Sequence, residues 1–160
     1  MKRIITKILL ICLLVLVVLF VAQQLLLGIN MKVPSAEAEL YVNGKLSSDP
    51  AILFWYGEVV HYMLPVSGVL TCIEGQFQYD DEKQTGEIVI GEEKFFLQGT
   101  DLYSEDGEWI SRTGLCPDVE ETGWYLYNGD CEEFFCLLGF DSFQVSVVEE
   151  AKAVYVKISK

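Results

Sequence analysis

After residue 40 the chain consists mostly of short apolar runs and two-residue alternations, broken by turn residues, a pattern that predicts strands joined as hairpins. Tyr41-Val42-Asn43-Gly44-Lys45-Leu46 predicts one hairpin, with Asn-Gly supplying the positive φ angles of a two-residue turn. Residues 52–56 and 59–64 predict two further strands. Pro65 then suits the first turn of a helix, where a missing N–H costs nothing. Val66, Val69, Leu70 and Ile73 recur at helical spacing, and Gly75 stops the helix. Residues 77–79 and 87–90 predict a hairpin around a polar turn, and residues 94–97 one more strand. The order then returns. Asp130 predicts a helix cap with Glu133 three residues on, Phe134, Phe135, Leu137 and Leu138 give the apolar face, and Gly139 ends it. Residues 143–147 and 153–158 predict a closing hairpin.

The two helix-ending glycines, Gly75 and Gly139, lie 64 positions apart, as do Cys72 and Cys136. Trp109-Ile110 follows Asp106-Gly107 as Lys45-Leu46 follows Asn43-Gly44. The expected fold is therefore α+β: an N-terminal transmembrane helix followed by a duplicated small β-β-α-β-β module. Residues 38–98 are the first copy and residues 99–160 a divergent second.

The transmembrane expectation comes from residues 8–31, 24 uncharged residues flanked by Lys7 and Lys32. As a helix this run reaches roughly 36 Å, enough for a hydrocarbon core of about 30 Å. Lys2, Arg3 and Lys7 place residues 1–7 in the cytoplasm, the bilayer around residues 8–31, a linker at 32–37 and the remainder outside. The alternative is secretion after signal cleavage near Ala38, since Ala36-Glu37-Ala38 has the small-x-small form of a cleavage site.

Charge narrows the partners. The chain carries a net −13, and from Lys45 onward seven Lys and Arg stand among the 24 Asp and Glu of the sequence. Such a surface repels nucleic acid and anionic lipid. Four cysteines fall in the part expected outside, where disulfides persist. Cys131 and Cys136 sit about 140° apart round a helix, so they are not expected to pair with each other. Either 72–136 with 116–131 or 72–131 with 116–136 remains, the repeat favouring the former, with reduced thiols as the alternative.

Tyr41-Val42-Asn43-Gly44-Lys45, Tyr62-Met63-Leu64-Pro65-Val66, Ile73-Glu74-Gly75, Phe77-Gln78-Tyr79-Asp80 and Gly86-Glu87-Ile88-Val89-Ile90 together resemble the copper amine oxidase N-terminal domain-like module. That module is frequent in surface and cell-wall proteins of Gram-positive bacteria. Ser67 stands where the family has Arg, Tyr79 where it has Trp, and Tyr127-Asn128-Gly129 where the second copy would carry Val-Pro-Leu. The resemblance implies a stalk-like, non-catalytic α+β module. Copper amine oxidase chemistry needs three histidine ligands, and His61 is the single histidine.

No other catalytic set emerges. His61 lies in an alternating strand, which suits a hydrogen-bonded structural histidine. Cys131 at a helix start is opposed as a nucleophile by Asp130, Glu132 and Glu133. Residues 101–108 miss the spacing of a calcium loop and suit a polar turn. No cofactor or metal is expected. Trp55, Trp109 and Trp124, with Tyr41, Tyr56, Tyr125 and Tyr127, are the candidates for an aromatic platform that binds a glycan or peptide. The expected function is a membrane-anchored, extracytoplasmic, non-catalytic binding or scaffold module of the bacterial cell envelope, partnered by cell wall or an envelope protein. Two alternatives are a glycan hydrolase using carboxylates alone and an acidic cation-binding surface protein.

Overall fold

Alternation in Ser35–Val42 sends Ala38, Leu40 and Val42 into the core and leaves Glu37 and Glu39 in solvent, and the segment forms strand β1. The first half of β1 runs antiparallel to β3 (Ala51–Tyr56), from Ser35 opposite Phe54 to Ala38 opposite Ala51. Its second half runs parallel to the last strand, β13 (Ala153–Ser159), from Glu39 opposite Ala153 to Val42 opposite Val156. Asn43, at φ +50°, closes this parallel pair as well as turning the chain. Its Nδ2 donates to the Ile158 carbonyl at 2.8 Å, and the Ile158 N–H donates to its Oδ1 at 3.0 Å.

The computed structural model describes residues 35–117 and 123–160. In these the larger sheet has the order β10-β11-β4-β3-β1-β13-β12, with the short β2 (Lys45–Leu46) pairing β1. Here β4 is Val59–Pro65, β10 Leu115–Pro117, β11 Trp124–Tyr127 and β12 Ser142–Val148. The smaller sheet is an antiparallel meander of β5 (Gly75–Asp80), β6 (Thr85–Ile90), β7 (Glu93–Gln98), β8 (Asp101–Ser104) and β9 (Trp109–Arg112). Two single helices, α1 (Val66–Cys72) and α2 (Cys131–Leu137), follow β4 and β11. One hydrophobic cluster joins Leu40, Leu53, Leu64 and Leu126 of the larger sheet, Ile88, Leu97 and Leu102 of the smaller, and Leu70, Phe134 and Phe135 of the helices. Tyr79 of β5 meets Trp124 of β11 with ring centroids 4.2 Å apart. A Cβ at Gly86 would lie 2.6 Å from the Tyr79 ring, so glycine there leaves room for that contact.

This architecture corrects the α+β expectation. Strands hold 58% of the described residues and helices 12%, so the chain is mainly β, in two sheets. The helices form where apolar spacing places them, although Pro65 is the cap residue of α1 and the Asp130 side chain makes no cap hydrogen bond to α2. The strand–helix–hairpin order does recur, as β4-α1-β5-β6 and β11-α2-β12-β13, but the copies are not separate modules. The first hairpin enters the smaller sheet, the second enters the larger one beside β1, and β11 pairs with β4. Residues Pro34–Lys160 cluster as one unit. Local alternation identifies strands but carries no information on these non-local pairings.

The expected transmembrane helix has no counterpart among the described residues, where no helix is long and apolar enough to cross a membrane, both being seven residues long. The span drawn at residues 8–31, with its bilayer partner and the cytoplasmic residues 1–7, lies outside the described residues. The linker drawn at 32–37 ends inside β1, and Ala38 is buried in the pairing with β3. A protein starting at Glu39 should therefore lose four paired residues of β1. In urea titration its unfolding midpoint is expected below that of a protein starting at Pro34, by the equivalent of about 1–3 kcal/mol.

Candidate functional site

The smaller sheet has one face in the core and one in solvent, and the antiparallel register sorts its side chains between them. Ile88, Leu97 and Leu102 point inward. On the open face, register aligns two rows across all five strands. One row runs Gln78, Glu87, Phe96, Tyr103, Trp109. The row beside it runs Asp80, Thr85, Gln98, Asp101, Arg112. Between them lies a groove of about 640 Å³, lined by Gln78, Glu87, Phe96, Gln98 and Tyr103 among others.

Trp109 reaches this face through a bulge. Leu102 pairs with Ser111, yet Tyr103 pairs with Trp109, so β9 has one extra residue, Ile110, at this point. In unbroken register Trp109 would stand opposite Ser104, on the inward-facing set. The extra residue turns it outward beside Tyr103, as bulges commonly re-aim a side chain. Ile110 packs against the core instead, and Trp109 is 61% exposed. Gly107 at φ +80° and the Ser104 hydroxyl, which accepts from the Glu108 N–H at 3.2 Å, shape the turn before it. Residues 101–108 thus form a strand and its polar turn.

The face is locally neutral on an acidic chain. Lys83 lies 2.6 Å from Asp80, Lys94 3.7 Å from Glu87, and Arg112 3.6 Å from Asp101. The Lys83 side-chain and backbone donors hold the Asp80 carboxyl below its usual range. That direction is wrong for a general acid, which needs a raised carboxyl pKa. Among the described residues no group of three or more His, Cys, Asp and Glu is placed to hold a metal ion.

The three tryptophans named from the sequence do not converge. Trp55 lies on β3, half-buried, with its indole N–H donating to Glu149 at 3.3 Å. Trp124 is taken up by Tyr79 between the sheets. Only Trp109 stands on the open face of the smaller sheet, on edge strand β9 next to the groove-lining Tyr103. Sequence reasoning missed Phe96, Tyr103, Gln78 and Gln98. The available signal was the run Phe95-Phe96-Leu97: with Leu97 facing the core, alternation forces Phe96 outward, and it is 38% exposed. A second aromatic group sits on the larger sheet, where Tyr56 and Tyr127 meet Phe54 edge-on and His61 stacks on it at 5.5 Å. His61 also bonds Asn128 at 3.4 Å, the structural role expected of it. Tyr56 and Tyr127 are exposed as well, but their rings are engaged edge-on with Phe54, whereas no ring contact among the described residues occupies Phe96, Tyr103 or Trp109.

No disulfide joins Cys72, Cys131 or Cys136. Cys131 is buried at the start of α2, donating to the carbonyls of Tyr127 at 3.1 Å and Leu126 at 3.6 Å. Burial, aided by Asp130, pushes its thiol up to about 12, so it stays protonated at neutral pH and is a poor nucleophile. Cys72 is buried with its thiol also pushed up by burial, and the Cys116 thiol donates to the Tyr125 carbonyl at 3.5 Å.

No family model, curated protein or solved structure matches the chain. The resemblance to the copper amine oxidase N-terminal domain-like module therefore rests on the motif residues themselves.

Two outcomes follow from these environments. Because the Cys131 thiol is raised in the folded state, its contribution is complete below the unfolded value near 9.0 and is lost as pH rises toward about 12. Stability should fall over that window by at most about 1.4 kcal/mol per pH unit from this group. Cys131→Ser, which keeps a donor without titrating there, should flatten the decline in alkaline thermal melts. Trp109→Ala, by contrast, should change stability by no more than about 0.5 kcal/mol in the same melts, because the ring is largely in solvent.

Proposed function

We propose that this protein is a non-catalytic binding module of the bacterial cell envelope, working outside the cytoplasm, with the open face of the smaller sheet as its contact surface. One observation carries the reading. An acidic chain sets three aromatic side chains in a row on a solvent-facing sheet, beside a groove whose carboxylates are each matched by a cation. Exposed aromatic surface is costly to leave in water, and a β-bulge that turns Trp109 outward instead of inward favours contact over core packing.

The same groove weighs against the hydrolase alternative. Asp80 and Glu87, the carboxylates nearest the groove, are both ion-paired to lysine. Both are partly solvent-exposed beside a cation, whereas the acid of a glycan hydrolase sits in apolar surroundings. Action outside the cytoplasm is supported by the basic start and the long apolar run ahead of residue 32, which suit an exported chain. The family resemblance supports the envelope setting.

Co-sedimentation with purified peptidoglycan sacculi and envelope fragments tests the proposal. The protein should pellet in a saturable way, and the pelleted fraction should drop when Trp109 and Phe96 are both changed to Ala. A protein that stays in the supernatant with every envelope fraction is not an envelope-binding module.

A further inference from the structure

We infer that the groove on the smaller sheet takes a neutral oligosaccharide strand laid across β5 to β9. This assigns a ligand class to the proposed contact surface and so rests on that reading. Three independent features select the class. The first is geometry. Phe96, Tyr103 and Trp109 occupy successive strands in one row, and neighbouring strands lie roughly 4.8 Å apart. A chain laid across the strands meets a new aromatic side chain at each strand. The electron-rich ring faces attract the C–H groups on the apolar face of a pyranose.

The second feature is the polar partner set. The aromatic row continues into Gln78 and is flanked by Gln98 and Thr85. Amides and a hydroxyl both donate and accept, which matches sugar hydroxyls that do the same. An apolar peptide would leave these groups without partners, at a desolvation penalty. The third feature is charge. Asp80, Glu87 and Asp101 each have a cation beside them, so the two aligned rows and their counter-ions carry no net charge although the chain carries −13. A cationic peptide would find better sites elsewhere on this surface, and an anionic polymer would be repelled by the chain as a whole.

The full chain is titrated with the neutral pentamers cellopentaose and chitopentaose, with glucose and pentalysine as comparators, following tryptophan fluorescence. At least one pentamer should give a saturable change that is the same at about 0.05 and about 0.5 M salt, because screening does not touch a neutral ligand. Glucose should bind far more weakly, since it covers one ring. Trp109→Ala should weaken pentamer binding about tenfold or more, and Gln98→Ala by about three- to tenfold, read by calorimetry in the absence of the indole signal. Two results overturn the inference: no saturable binding of either pentamer up to about 10 mM, the range of weak glycan contacts, or an affinity that Trp109→Ala leaves unchanged. Tighter, salt-sensitive binding of pentalysine to the same face also overturns it, in favour of a basic peptide. Failure of the pentamers with retained sedimentation on sacculi refutes the ligand class alone, whereas loss of both refutes the binding module.

Discussion

The fold depends on one strand serving two neighbours. β1 pairs antiparallel with β3 through its first half and parallel with β13 through its second, so the first and last described strands lie side by side within the larger sheet. A parallel pair between strands so far apart in sequence has a long loop to close, and the entropy of that closure must be met by contacts made at the pair itself. Asn43 supplies two of them, its amide both giving and taking a hydrogen bond at Ile158. Leu40, Val42, Val154 and Val156 supply the apolar part, all buried in the shared core. Once this seam closes, the hairpin β12-β13 has its place in the larger sheet, leaving the meander β5 to β9 as a sheet of its own.

That division is what leaves an open face. The smaller sheet packs its inner side on the common core and, among the described residues, has no second layer over its outer side. Among those residues its outer side chains are under no constraint from core packing. Singly exposed apolar side chains are normal on a protein surface, and it is their alignment in one patch that is informative. Here the open face carries an aromatic row, a row of hydrogen-bonding side chains and carboxylates individually matched by cations. The bulge in β9 ties these choices together, because the same extra residue sends Ile110 to the core and Trp109 to the open face beside Tyr103.

Much of the secondary structure was legible in the sequence. Alternation located most strands from residue 41 onward but missed β8, β10 and β11, and 3.6-residue spacing located both helices, each within a few residues. The Asn-Gly hairpin was legible because turn chemistry is local, and both Asn43 and Gly44 adopt positive φ. What local pattern could not supply was partnership. The second role of Asn43, as a clamp on β13, involves a residue 115 positions away. The recurrence of strand, helix and hairpin suggested two independent modules, whereas the pairings β11 with β4 and β1 with β13 weave the halves together. The candidate site was legible in part. Aromatic richness pointed to Trp109, but Trp55 and Trp124 were equal on composition, and only three-dimensional neighbours, Glu149 for one and Tyr79 for the other, removed them. Phe96 escaped notice because a run of consecutive apolar residues does not declare which face is wet, and Tyr103 because residues 101–108 read as a polar turn although Asp101–Ser104 form β8.

The central claim, that the open face of the smaller sheet is where this protein makes contact, is tested most directly by mapping ligand-induced amide and indole shifts in a ¹⁵N-resolved NMR titration with a soluble envelope glycan fragment. The account requires the largest changes at the Trp109 indole and the amides of Phe96, Gln98 and Tyr103, with Tyr56, Tyr127 and the β1–β13 seam unmoved. Shifts concentrated around Tyr56 and Tyr127, with Trp109 silent, would place the contact on the other sheet and contradict it.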